Sequence, residues 1–186
     1  SARLPAGLPA AADPWRDHGH LISKPLPVHP TMTPNFSLAE FVRSSTAARL
    51  RLSNDLPPAL TPAALQTLAM MQRIRDRLCL LAGRDIPVTI TSGYRSPALN
   101  TAVGSSGTSD HIRAAACDWR APAFGTPSAI CTALAPLVSE LQIGQLINEF
   151  PGRDGWVHTS TRVPLVAANR IITITSSGIR SGVHAS

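Results

Sequence analysis

"SDHIRAAACDWR", Ser109–Arg120, is the stretch on which the reading of this chain turns. It sets His111 seven residues ahead of Asp118, with a run of small residues between them. "ACDWRA" has the composition of a short strand, and the residues before it read as a loop. A histidine on a loop and an aspartate on the strand that follows make either a solvated turn or half of a metal site.

Zinc in a catalytic site takes three protein ligands from His, Asp or Glu and keeps one position for water. His111 and Asp118 suit two of those places, and the third calls for a histidine on a neighbouring strand. "GWVHTS" offers His158, alternating with Trp156 on one face of a predicted strand. Taken singly, each of these residues is equally an ordinary surface or core residue, so the surrounding chain has to decide.

Working outward, "PVTITS" predicts a strand over Val88–Ser92, and Ser96–Pro97 begins a brief helix. Upstream, Ser37 and Glu40 form a capping box for a helix with Leu38, Phe41 and Val42 on its apolar face. Thr61 as N-cap and Pro62 in the first turn open a second helix. Its apolar positions Leu65, Leu68, Met71, Ile74, Leu78 and Leu81 recur at helical spacing, and Gly83 ends it. Downstream, "TPSAICTALAPLVSEL" repeats the Thr-Pro opening at Thr126. "GQLINEF", "GWVHTS" and "RIITITSSG" are strand candidates. Helices first, then strands interrupted by one helix, predict an α+β domain with a mostly antiparallel sheet flanked by helices.

The chain has 186 residues, 44% of them hydrophobic, which is enough for one domain with a real core. Its 17 prolines gather partly in residues 1–34, which show no helical or strand period and read as a Pro-rich extended arm. The domain proper is residues 35–186. A formal charge of +6 favours an anionic partner. Cys79, Cys117 and Cys131 are odd in number and form no CxxC pair, so they read as small buried apolar residues. No apolar run has membrane-spanning length, and the first residues lack the apolar core of a signal peptide. The expectation is a chain made in a host cytoplasm without a signal peptide, and no membrane insertion.

"TITSGYRSPALNTAVG", "SDHIRAAACD" and "INEF…GWVHTS" occur in that order. Together they resemble the zinc D-Ala-D-Ala carboxypeptidase family of LAS-type peptidases, especially phage-associated members that cut peptidoglycan stem peptides. The resemblance covers about residues 33–180 and implies the LAS (Hedgehog/D-Ala-D-Ala peptidase-like) fold. It implies Zn2+ held by His111, Asp118 and His158. It also implies that Arg95 binds a substrate carboxylate or polarises the scissile carbonyl, that Ser109 orients the ligand loop or binds substrate, and that Tyr94 packs beside the substrate cleft as a substrate-binding residue or simply in the core. Asn100 is either a peptide contact or a surface residue of the short helix.

Two departures from the family pattern stand out. Ala114 occupies a place three residues after the first His ligand where the family usually has Gly; if that place needs positive φ, Ala carries strain. Several relatives carry the catalytic acid three residues before the last His, and here that residue is Gly155. The general base is therefore expected to be Glu149, ahead of an inserted "PGRD", with Asp154 in reserve although "RDG" is ordinary turn sequence. In that scheme the metal activates water and polarises the amide carbonyl while Glu149 carries the proton.

The resulting expectation is a zinc metallopeptidase of peptidoglycan, acting on the wall after release as an endolysin or carried in a virion. The alternatives are a D-Ala-D-Ala carboxypeptidase and a catalytically inert virion protein that keeps the fold. The expected partners are peptidoglycan and, through the arm, other virion or tail proteins; His18, His20 and His29 in the arm are expected to be contact or solvent residues. A nucleic-acid partner is not expected, because basic and aromatic residues do not interleave.

Overall fold

The computed structural model describes residues 33–152 and 154–185. The arm expected over 1–34, with its three histidines, lies outside the described residues except for Thr33 and Pro34. Among the described residues no helix is long and apolar enough to cross a membrane.

The helices come first. Ser37 caps α1 (Leu38–Val42), its hydroxyl accepting from the Glu40 N–H, and Phe41 is fully buried. A second short helix, α2 (Ser45–Leu50), is capped in the same way by Ser44. The long helix α3 (Thr61–Ala82) ends at Gly83 in the left-handed conformation, as its sequence predicts. Its start differs from expectation. Thr61 already has helical angles behind the 3₁₀ turn Pro58–Leu60, so Leu60 is the N-cap and makes no side-chain cap bond. Leu81 also departs from the predicted face and is 51% exposed, because the last turn of α3 runs past the core that buries Leu68, Met71, Ile74 and Leu78.

The strands β1 (Thr89–Ser92), β2 (Ala116–Arg120), β3 (Gln145–Glu149), β4 (Trp156–Ser160), β5 (Ile171–Thr175) and β6 (Gly178–Ser181) form one six-stranded sheet in the order β1-β2-β4-β3-β5-β6. Every pairing is antiparallel except β3 with β5, where β5 joins the outer edge of β3 instead of pairing with β4, its predecessor in sequence. The architecture is α+β, as predicted; β6 and α2 had no strong periodic signal because each is short. Ser96 caps α4 (Pro97–Ala102), and Thr126 caps α5 (Pro127–Leu134).

Alternation along the central strands separates two faces. Trp119 and Thr159 point to the helices: the Trp119 Nε1–H donates to Thr159 Oγ1 at 3.1 Å, and that hydroxyl donates to Met71 Sδ of α3 at 3.6 Å. Asp118 and His158, one residue along, take the opposite face. Cys117 and Cys131 are buried; Cys79 is half-buried, its sulfur accepting from the Ile86 N–H.

Between β1 and α4 the chain passes so close to α1 that a Cβ on Gly93 would lie 2.3 Å from the Phe41 carbonyl oxygen and 2.4 Å from its ring. Phe41 is fully buried and has no room to retreat. Gly93→Ala is expected to destabilise the fold by about 2 kcal/mol or more, lowering Tm by roughly 5 °C or more in thermal unfolding. An unchanged Tm would mean that α1 does not pack there.

Candidate metal centre

His111 sits on the 3₁₀ turn Asp110–Arg113, and three contacts hold that turn. Ser109 caps it, its Oγ accepting from the His111 N–H at 3.3 Å. The Asp110 carboxylate accepts from Ser160 Oγ at 2.7 Å and from Arg162 Nη1 at 2.6 Å, which ties the turn to the far end of β4. Ala114 then closes it at φ 53°, ψ 28°. The family-pattern glycine is thus replaced by a residue that does adopt the left-handed conformation. Relief of about 1 kcal/mol on changing to Gly would be offset by loss of a buried methyl, worth about 0.8 kcal/mol. The fully buried alanine is tolerated because the two effects nearly cancel.

Asp118 in β2 pairs directly with His158 in β4. His158 Nδ1 is 2.8 Å and His111 Nε2 3.2 Å from the same carboxylate oxygen, Oδ1. The other oxygen accepts from Arg95 Nη2, while Arg95 Nε donates to Ser92 Oγ at 2.8 Å. The imidazole rings meet edge-on with centroids 5.1 Å apart. One ligand-type atom from each of His111, Asp118 and His158 lies within 4.8 Å of the others, and all three residues are buried.

The electrostatics follow from that crowding. Burial alone would raise the Asp118 pKa, but the interactions with His111 and then His158 outweigh it and hold the carboxyl well below the usual range. Burial is the strongest influence on His111 and lowers its pKa despite Asp118. Burial also pulls His158 down, yet the hydrogen bond and charge of Asp118, helped by Glu149, leave it raised.

His111 Nδ1–H donates to the Gly93 carbonyl at 2.6 Å, which fixes the tautomer. Neutral His111 therefore turns the lone pair of Nε2 toward an ionised carboxylate oxygen 3.2 Å away. Two lone pairs in such contact repel unless a cation lies between them. Two imidazoles and a carboxylate, all buried, with the outer nitrogen of His111 braced by a carbonyl, fit a divalent metal of the zinc type.

A cleft of about 540 Å³ opens over this cluster, walled by Val103, Gly104, Ser105 and Ser109 on one side and Phe150 and Trp156 on the other. Arg95 and Glu149 line it too. Glu149 ends β3, with Oε1 3.9 Å from His158 Nδ1. Burial, assisted by the Asp118 charge, raises its pKa; His158, Arg95 and, least of all, the nearby Trp156 indole oppose that. The indole Nε1 itself makes no hydrogen bond of acceptable geometry among the described residues.

Other expected site residues lie elsewhere. Tyr94, expected either beside the cleft or in the core, takes the second place: it is 3% exposed and packs in the core, its backbone N–H tied to the Phe41 carbonyl. Asp154 is exposed in the turn and does not line the cleft. Asn100 neither faces solvent nor lines the cleft; it is buried, and its amide donates to the carbonyls of Ser105 and Ser106, bracing the cleft wall. Gly155 is glycine for a backbone reason, since a Cβ there would lie 2.2 Å from the Phe150 carbonyl oxygen and 2.7 Å from that of Glu149. An acid side chain does not fit at that position, whereas Glu149 on the neighbouring strand lines the cleft. The Gly93 brace, the Asp110 clamp and the Asn100 clasp left no motif in the sequence; Trp156 was legible through its alternation with His158.

A family model described as Peptidase M15 matches residues 34–160. That span holds every residue of the cluster and the cleft named above. No curated protein matches the chain.

Purified protein is expected to bind one zinc per chain. With free zinc at a hundredfold excess over Kd the fold gains about 2.7 kcal/mol, a rise in Tm of roughly 5–10 °C. His111→Ala should abolish both the binding and the rise, as read by metal analysis and thermal unfolding. Equal zinc content in the variant would exclude His111 from the site.

Proposed function

Because the chain belongs to the peptidase M15 family, a family of metallopeptidases, we propose that it hydrolyses a peptide bond within peptidoglycan stem peptides, using zinc held by His111, Asp118 and His158. The observation that carries this reading is the place of Glu149: a carboxylate of raised pKa beside a buried His-Asp-His cluster, inside the same cleft.

When bound, zinc supplies Lewis-acid polarisation of the scissile carbonyl and an acidified water. Glu149 accepts the proton of the attacking water and delivers it to the leaving amine. Burial favours this, because a carboxyl of raised pKa is a stronger base than an exposed one and gives up its proton less readily to solvent. Arg95 has its guanidinium oriented by Ser92 and Asp118, and it lines the cleft, so its remaining N–H groups can serve a substrate carbonyl or carboxylate oxygen. Ser109 acts through the loop, by capping the turn that carries His111. A formal charge of +6 suits an anionic wall polymer. The setting, wall opening by a phage as endolysin or virion enzyme, is supported by the resemblance of the three ordered motifs; in a virion the Pro-rich residues 1–34 would serve as the attachment to other virion or tail proteins.

The test is digestion of purified peptidoglycan with zinc-loaded protein, followed by mass spectrometry of the released muropeptides. Internal cleavage of stems is expected. Release of terminal D-Ala alone would assign a carboxypeptidase, and no release would leave the fold without the activity. Glu149→Gln should keep the zinc and lose about 10²-fold or more in kcat, whereas Asp154→Asn should be silent. Near-normal turnover by the Glu149 variant would remove it as the base.

A further inference from the structure

Trp156 opens β4 directly opposite Glu149, the last residue of β3, so their side chains are neighbours on one face of the sheet. Phe150, immediately after Glu149, packs against the indole with ring centroids 5.4 Å apart and planes tilted by 49°. The indole is therefore gripped from one side while its polar edge is enclosed. Nε1–H is buried and has no hydrogen-bond acceptor among the described residues. Buried indole N–H groups ordinarily find an acceptor. Glu149 is the carboxylate beside this one, and both residues line the cleft.

Resting on the assignment of Glu149 as proton carrier, we propose that Trp156 is a positioning residue whose Nε1–H, unmet by an acceptor in this structure, donates to the neighbouring Glu149 carboxylate after a small side-chain rotation and keeps Oε1 turned toward the His-Asp-His cluster. A glutamate side chain has three rotatable bonds, and Oε1 stands 3.9 Å from His158 Nδ1, too far for a hydrogen bond. Proton transfer needs a reach of about 2.6–3.2 Å. A single donor on a clamped ring removes the rotamers that would swing the carboxylate away, without blocking the oxygen that carries the proton. The hairpin makes this possible: Gly155 lets the chain turn tightly, so that an indole and a carboxylate from adjacent strands meet at the lip of the cleft.

The test uses the zinc-loaded full chain. Trp156→Phe keeps a ring against Phe150 and removes the donor. Loss of one hydrogen bond to a charged group predicts a fall in kcat of about tenfold or more, with KM changed by less than about twofold and zinc stoichiometry unchanged. In a Glu149→Gln background the same substitution should add less than about twofold, since the two residues act as one unit. A rise in KM with kcat unchanged would overturn the proposal and assign the N–H to substrate. An independent readout needs neither substrate nor turnover: in ¹⁵N-indole spectra the Trp156 signal, identified by its absence in Trp156→Phe, should move upfield in Glu149→Ala as its acceptor is lost. A stationary signal would overturn the pairing even if the enzyme is active. Should the protein not cut peptidoglycan at all, the assigned function fails while the spectra still decide the pair.

Discussion

Asp118 is the constraint around which the domain is built. A carboxylate buried in the middle of a central strand is costly unless every lone pair is met by positive charge or a donor. Here Arg95 donates to one oxygen, His158 Nδ1 lies 2.8 Å from the other, and His111 faces that same oxygen at 3.2 Å with a lone pair that calls for a cation between them. Those partners arrive from three separate pieces of chain: the turn after β1, the 3₁₀ turn before β2, and β4. Holding the carboxylate ionised therefore also fixes the relative places of these segments. The His-Asp-His cluster and a large part of the internal order of the sheet are the same set of contacts.

The period of two in the strands allows one element to serve both core and chemistry. In β2, Cys117 and Trp119 belong to the apolar core, while Asp118 between them faces the cleft side. In β4, Val157 and Thr159 are buried against the helices and His158 faces the cleft. A slip of one residue would exchange Asp118 for Cys117 or Trp119 in β2 and His158 for Val157 or Thr159 in β4, and both faces would fail together. The helix α3 guards that register from behind, with Thr67 Oγ1 donating to the Ala114 carbonyl at 2.8 Å just before β2 begins.

Backbone limits then choose which residue may supply the acid. Glu149 can reach the cluster because its strand neighbours β4, and Gly155 cannot be replaced by an acid because the hairpin carbonyls occupy the space a side chain would need. Ala114 illustrates the converse, a place where local strain is borne because the surrounding core buries the methyl.

The sequence by itself determined the α+β class, the capped helices and most strands, since capping hydroxyls and periods of 2 and 3.6 act over a few residues and need no distant partner. It also picked out His111, Asp118, His158 and Glu149, because their order and flanking residues form a distinctive pattern. It did not determine that Tyr94 turns into the core, that Asn100 braces the cleft wall, or that Leu81 overshoots the core; each depends on where a segment far along the chain comes to rest. The parallel pairing of β3 with β5 was likewise decided by which sheet edge remained open after β4 had paired with β2 and β3. Nor could any motif announce the Gly93 carbonyl behind His111, because a backbone acceptor carries no side-chain signature. Local patterns were legible because local energetics write them; the bracing contacts were decided by tertiary structure, where hydrogen bonds and close packing join residues that the sequence keeps apart.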